Sequence, residues 1–172
     1  MKKLLVIVIF AVVTIAAIAA AVILITGKPS ASSEDKQASI EKLDSFDVAL
    51  GKYYLNGDTS KRYFEVTKDT VQLLGTDITA YVKEMDDRLP YYDPETGERV
   101  YQSETGAKAD IEKYSKAQSY VVVCMNGADG SKSYILSTDY HEEDKFISGS
   151  GYAYNPEKKI LCVNGIDTYI LK

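Results

Sequence analysis

Hydrophobic and polar positions divide the chain into one long apolar block and a series of short waves. From Leu4 to Ile25 the run LLVIVIFAVVTIAAIAAAVILI is apolar throughout except for Thr14. At about 1.5 Å of rise per residue, a helix of this length crosses a hydrocarbon core of roughly 30 Å. Residues 1–26 are therefore expected to form a transmembrane segment. Gly27 to Gln37, GKPSASSEDKQ, is small, polar and charged, which predicts a flexible tether. The waves begin after it and define a domain over 38–172.

Ile40, Leu43, Phe46 and Leu50 recur at helical spacing, with Ser33 as a cap and Gly51 as a stop, so a short amphipathic helix is expected to lead into the domain. Period-two alternation follows. Phe64 and Val66 alternate with Tyr63, Glu65 and Thr67, and Val71 and Leu73 alternate with Thr70 and Gln72. With LGKYYLNGD before them, these segments predict a three-strand meander turning at Asn56-Gly57-Asp58 and Lys68-Asp69. The period then lengthens. Ile78, Tyr81, Val82 and Met85 share a helical face behind Asp77, a good N-cap, and Pro90 ends the run. Asp93-Pro94 with Gly97 is turn chemistry, and Ala109, Ile111 and Tyr114 give a second helical stretch. A largely helical insertion with a turn or small hairpin is expected over about 77–118.

The last third returns to strands. SYVVVCM is apolar on both faces, so it reads as the central, doubly covered strand, with Ser133 to Ser137 pairing back across NGADGSK. SGSGYAY, KKILCV and DTYILK supply further strands. VCMNGADGSKSYIL and LCVNGIDTYIL share a cysteine two residues before Asn-Gly and a Tyr-Ile-Leu ending, which predicts two similar hairpins.

Charge fixes an orientation for this layout. Lys2 and Lys3 precede the apolar block, and 18 basic residues against 25 acidic ones follow it, a net −7. The positive-inside rule then places the N-terminus in the cytoplasm and the domain outside. A cleaved signal peptide is the alternative, leaving a secreted domain. Its apolar core would run about 7–15 residues before a small-residue cleavage site. Here the run is longer and its alanines lie within it, which favours retention. The negative domain argues against nucleic acid and anionic headgroups as partners. Fourteen tyrosines and no tryptophan suggest half-buried sheet positions whose hydroxyls reach water.

Candidate chemistry is sparse. Cys124 and Cys162 occupy matching hairpin positions. In an exported domain they are compatible with a disulfide, and equally with two buried free thiols. His141 in YHEEDK is the single histidine, too little for a histidine-based metal site or a nucleophilic triad. NGADGS lacks the alternating acids of a calcium loop. No catalytic residue, metal ligand or cofactor site is assigned.

At GKYYLNGD, YFEVTKDTVQLLG and the closing GYAY…TYILK, the chain resembles the small signal-anchored extracytoplasmic domains of Gram-positive bacteria. Gly51-Lys52-Tyr53 is similar to the first strand of lipocalin-like barrels, with Tyr53 standing where lipocalins usually carry tryptophan. The helical insertion departs from that pattern. The resemblance implies a curved antiparallel sheet or partial barrel with an interior open to an apolar ligand, and it carries over no functional residue. The expectation is thus an α+β protein: an N-terminal transmembrane helix, then a mainly antiparallel β-sheet or partial barrel with a helical insertion. It would act at the cell membrane, single-pass, as a non-enzymatic binding or accessory module for a protein or cell-envelope partner. A lipocalin-like barrel holding a small apolar or cell-wall-derived ligand is the alternative, and a hydrolase ranks below both.

Overall fold

Alternation at period two turns every second side chain of a strand to the same side, so successive antiparallel strands build a wall with one apolar face. In the computed structural model, which describes residues 38–93, 95–101, 104–147 and 151–172, that wall curls around its apolar face. Its strands are β1 (Ser39–Leu43), β2 (Gly51–Leu55), β3 (Tyr63–Val66), β4 (Thr70–Leu74), β7 (Gln118–Ser119), β8 (Val121–Asn126), β9 (Lys132–Ser137), β12 (Gly151–Asn155), β13 (Ile160–Val163) and β14 (Asp167–Leu171). Two short hairpins stand apart, β5 (Tyr91–Tyr92) with β6 (Arg99–Val100), and β10 (Tyr140–His141) with β11 (Phe146–Ile147). Helices α1 (Ile78–Arg88) and α2 (Glu104–Tyr114) flank the first of these.

The strand order is β1-β8-β9-β12-β13-β14-β2-β3-β4-β7, antiparallel throughout. Both ends of that order meet in one stretch of chain. β7 takes β4 through Val71↔Gln118 and Thr70↔Ser119. One residue further on, β8 takes β1 from Leu43↔Val122 to Ser39↔Asn126. The sheet is a partial barrel whose seam with β4 consists of two residue pairs and a Tyr120 N–H to Asp69 carbonyl bond of 3.3 Å.

The meander gives this barrel two distinct ends. The first described residues enter beside the β8–β9 turn, at the end that also carries the β3–β4 and β12–β13 turns. The β2–β3 and β13–β14 turns lie at the far end, and so does the whole excursion α1–β5–β6–α2.

The interior is filled by rings. Tyr53, Phe64, Tyr152 and Tyr169 are wholly buried together with Leu136, Leu161, Val71 and Leu73. Phe64 reaches across to Tyr152 and Tyr169, with ring centroids 5.0 and 4.9 Å apart. Tyr54, Tyr63, Tyr120, Tyr134 and Tyr140 are half-buried as expected, but Tyr53, Tyr152 and Tyr169 are not. In a chain without tryptophan they supply the interior volume, and their hydroxyls find partners at the two ends. α1 begins as its sequence predicts: the Asp77 carboxylate accepts from the Ala80 N–H at 2.8 Å. Tyr81, Val82 and Met85 are buried against the barrel, each such burial contributing about 1.5–3 kcal/mol.

Two expectations fail on particular residues. Ile40 and Leu43 lie in a strand, not a helix, because β9 pairs with one edge of β8 and leaves the other to β1; five registered pairs with β8 outweigh helical spacing. Gly51 does not end a helix. Its φ of +135° starts β2, and a Cβ there would stand 2.9 Å from Leu171 Cδ1. The β2–β3 turn at Asn56-Gly57 has φ of 53° and 73°, the hairpin geometry its sequence predicts. The apolar block Leu4–Ile25, the tether and Ser33 lie outside the described residues. Among the described residues no helix is long and apolar enough to cross a membrane.

Candidate interaction surface at the far end of the barrel

Three elements bring charge to the far end. Arg62 precedes β3, Asp167 opens β14, and α1 presents Glu84 and Arg88 one turn apart. Arg62 clasps Glu84 through both carboxylate oxygens, at 2.6 and 2.9 Å, and reaches Asp167 Oδ2 at 3.0 Å. Its Nε donates to the Tyr169 hydroxyl at 3.0 Å, and its guanidinium lies 5.1 Å from the centre of the Tyr81 ring. Arg88 completes the group, donating to Asp167 Oδ1 at 2.8 Å and Glu84 Oε1 at 2.9 Å. The Arg62 guanidinium holds the Glu84 carboxyl below its ordinary range, with Arg88 adding to the effect. Asp167 and Glu84 in turn raise the Arg88 pKa. Two cations and two anions cancel, so the tetrad fastens α1 over the barrel mouth and holds no charge in reserve for chemistry.

Beside this clasp stand two exposed apolar side chains. Leu89 follows Arg88, and Ile166 precedes Asp167; both are exposed. Pro90 then turns the chain into the β5–β6 hairpin, where Tyr91 pairs with Val100 and Tyr92 with Arg99. The hairpin turn is held by Asp93, whose Oδ1 accepts from the Glu95 and Thr96 N–H groups at 2.8 Å each, which lowers its pKa. Arg99 fixes the hairpin to α1 by donating to the Asp86 carbonyl at 3.3 Å and standing 3.5 Å from Asp87. It also stacks on Tyr101, 4.6 Å from the ring centre. Tyr92 and Tyr101 remain 55% and 65% exposed, and Val100 is exposed too.

The entry end is built differently. The crossing from β1 to β2 lays Val48 into the core and Phe46 onto Tyr134, ring centroids 4.5 Å apart. The Ala49 N–H donates to the Tyr154 hydroxyl at 3.0 Å, and the Tyr53 hydroxyl donates to the Ala49 carbonyl. Beside the crossing, a surface cleft of about 790 Å³ lies along the seam, with Lys42, Phe46, Lys68, Asp69 and Tyr120 among its walls.

The residues singled out from sequence are not brought together. Cys124 faces the interior in the row Cys124–Tyr134–Tyr154–Leu161. Cys162 faces outward in the row Val123–Ile135–Ala153–Cys162. Two strands separate them, and strand spacing of about 4.8 Å puts them far beyond disulfide reach. Both are free thiols, the alternative to a bridge. Burial pushes both thiol pKa values up. His141 lies in the β10–β11 hairpin, its Nε2 3.8 Å from Asp139. That hairpin is tied to β1 by Lys42 and Glu142 at 3.1 Å. Among the described residues no group of His, Cys, Asp and Glu is arranged to hold a metal ion.

Sequence reasoning located the hairpin but not the tetrad. The Glu84–Arg88 spacing of four was a readable half of it, while Arg62 and Asp167 are 105 residues apart. No protein-family model, curated protein or solved structure matches this chain.

Proposed function

We propose that the chain is a membrane-anchored extracytoplasmic binding or accessory module, and that the far end of its barrel is the contact surface. The carrying observation is where the exposed apolar side chains lie. Five of the six large apolar side chains exposed among the described residues, Leu89, Tyr92, Val100, Tyr101 and Ile166, stand at the end opposite to the one where the chain enters, and the sixth, Leu50, borders the seam cleft. Clustered exposed apolar and aromatic groups of this kind mark binding surfaces, and tyrosine is a frequent anchor of protein interfaces. With Leu4–Ile25 in the membrane, that surface faces away from the bilayer. A ligand inside the barrel would have to displace Phe64, Tyr152 and Tyr169, so the small-ligand alternative moves to the seam cleft beside Phe46 and Tyr120.

Photo-crosslinking in the native cell tests the surface. A benzoylphenylalanine at Tyr101 should give a discrete crosslinked product that the same group at Lys158, in the β12–β13 turn, does not give. Equal products from both positions, or none from Tyr101, would remove the far end as the contact surface. Protease added to intact cells should digest the domain, and protection would overturn the orientation.

A further inference from the structure

The far-end surface has a rim of one sign. Residues 84–104 hold seven acidic side chains and two arginines. Glu84 is spent on Arg62 and Arg88, Asp87 faces Arg99 and Glu104 pairs with Lys108 at 2.8 Å, which leaves the charges of Asp86, Asp93, Glu95 and Glu98. Both arginines are already engaged. Arg88 is bound to Asp167 and Glu84, and Arg99 lies between Asp87, the Asp86 carbonyl and the Tyr101 ring. Glu95 and Glu98 stand exposed on the hairpin between Tyr92 and Tyr101. An incoming group therefore meets unspent carboxylates around aromatic faces, and no unspent arginine.

From this we infer that the surface takes a cationic protein segment, one that carries lysine or arginine beside an aliphatic side chain. The inference rests on the far end being the contact surface. The chemistry is already rehearsed within the molecule, where the Arg99 guanidinium lies over Tyr101 while reaching toward the Asp87 carboxylate. A partner's arginine or lysine on Tyr92 would repeat that arrangement with Glu95 or Glu98 as counter-charge, combining cation–π attraction with a charge-assisted contact. Its aliphatic neighbour would cover Leu89 and Ile166. The acidic rim would also repel anionic surfaces, which sets the register and the choice of partner.

The test uses the full chain in zwitterionic detergent and a fluorescein-labelled peptide of repeating Lys-Leu-Ala, with a Glu-Leu-Ala peptide as its charge reversal. Fluorescence anisotropy should show binding of the lysine peptide alone. Glu95→Lys with Glu98→Lys, and separately Tyr92→Ser with Tyr101→Ser, should each weaken it roughly tenfold or more. Glu143→Lys with Asp144→Lys, in the acidic β10–β11 loop, should leave it within about twofold, because the rings beside that loop, Tyr140 and Phe146, are half-buried whereas Tyr92 and Tyr101 are exposed. Equal binding of the glutamate peptide, no binding of the lysine peptide, or equal weakening by the β10–β11 changes would overturn the inference. The two readings separate through the crosslink. A Tyr101 product joined to an acidic or neutral segment would remove the cationic partner and keep the contact surface, whereas no Tyr101 product would remove both.

Discussion

At the entry end the chain closes its barrel with backbone and phenol. Ala49 both accepts from Tyr53 and donates to Tyr154, while Val48 and Phe46 fill the space beneath. At the far end closure depends on four charges, with Arg62 at the centre and Glu84, Asp167 and Arg88 around it. The first arrangement is neutral. Burial holds the Tyr53 hydroxyl protonated well beyond its ordinary range, so neither pH nor salt near neutrality touches it. The second combines strong pairwise attraction with a large desolvation cost, and is stable only as a complete set. The apolar patch is built on the second. A surface mounted on a charged clasp can be loosened locally while the rest of the barrel stays closed.

The sharpest way to break this contrast is to remove one member of the clasp. Asp167→Ala leaves the nearly buried Arg62 and its neighbour Arg88 without one of their shared anions. Glu84 still pairs with both arginines, so the expected loss is about 2–3 kcal/mol of stability, the scale for losing hydrogen bonds between charged groups, measured by urea unfolding. A loss below about 1 kcal/mol would mean that apolar packing of Tyr81, Val82 and Met85 closes the far end without the charges. The corresponding change at the entry end is smaller. Tyr154→Phe keeps the ring on Phe46 but leaves the Ala49 N–H unpartnered, a cost of about 1–2 kcal/mol. If it equalled Asp167→Ala, the two closures would not differ in kind.

The two ends also differ in how far they were legible. Wherever the determining interaction is local, the sequence reading and the structure agree: Asp77 caps α1, and Asn56-Gly57 turns β2 into β3. The apolar run of β8 is covered on both faces at Val122 to Cys124, but β8 lies second from one end of the sheet, not at its centre. Where partners are distant, the pattern was ambiguous or silent. Ile40 and Leu43 suit a helix and a strand equally well, and the distant edge of β8 decides between them. The tyrosines alternate as half-buried strand residues do; only closure of the wall shows that Tyr53, Tyr152 and Tyr169 face a common interior. Arg62 and Asp167 carry no mark of their pairing, because register across β14, β2 and β3 brings them together.

Acid should separate the ends as mutation does, by a smaller amount. The folded pKa of Glu84 is depressed by Arg62 and Arg88. Its contribution is therefore fully present above its unfolded value, near 4.3 for an ordinary glutamate, and is lost as pH falls through the folded value. Amide protection factors in α1 should drop between neutral pH and acid below about pH 4. Those of β8 and β9, closed by the neutral entry-end contacts, should hold over the same range. A uniform drop in all strands would show that the ends open together.

The smallest effect is read by the two thiols, which sit on opposite faces and report on different ends. Cys162 is half-buried on the outer wall, two residues before the far-end turn at Asn164-Gly165. Cys124 is buried in the interior beside Tyr134, the ring that Phe46 covers from the entry end. Burial raises both pKa values, so neither is a strong nucleophile near neutral pH, and access decides their order. In the native protein a thiol reagent should label Cys162 first and Cys124 slowly, with both labelling fully once the chain is unfolded. Tyr154→Phe should speed Cys124 by loosening its own end. Asp167→Ala, tested where the fold persists, should speed Cys162 more than Cys124, since its opening begins across the barrel from the Phe46 plug. If Asp167→Ala exposes Cys124 as readily as Cys162, the clasp and the plug belong to one cooperative unit, and the far-end surface cannot loosen without the barrel.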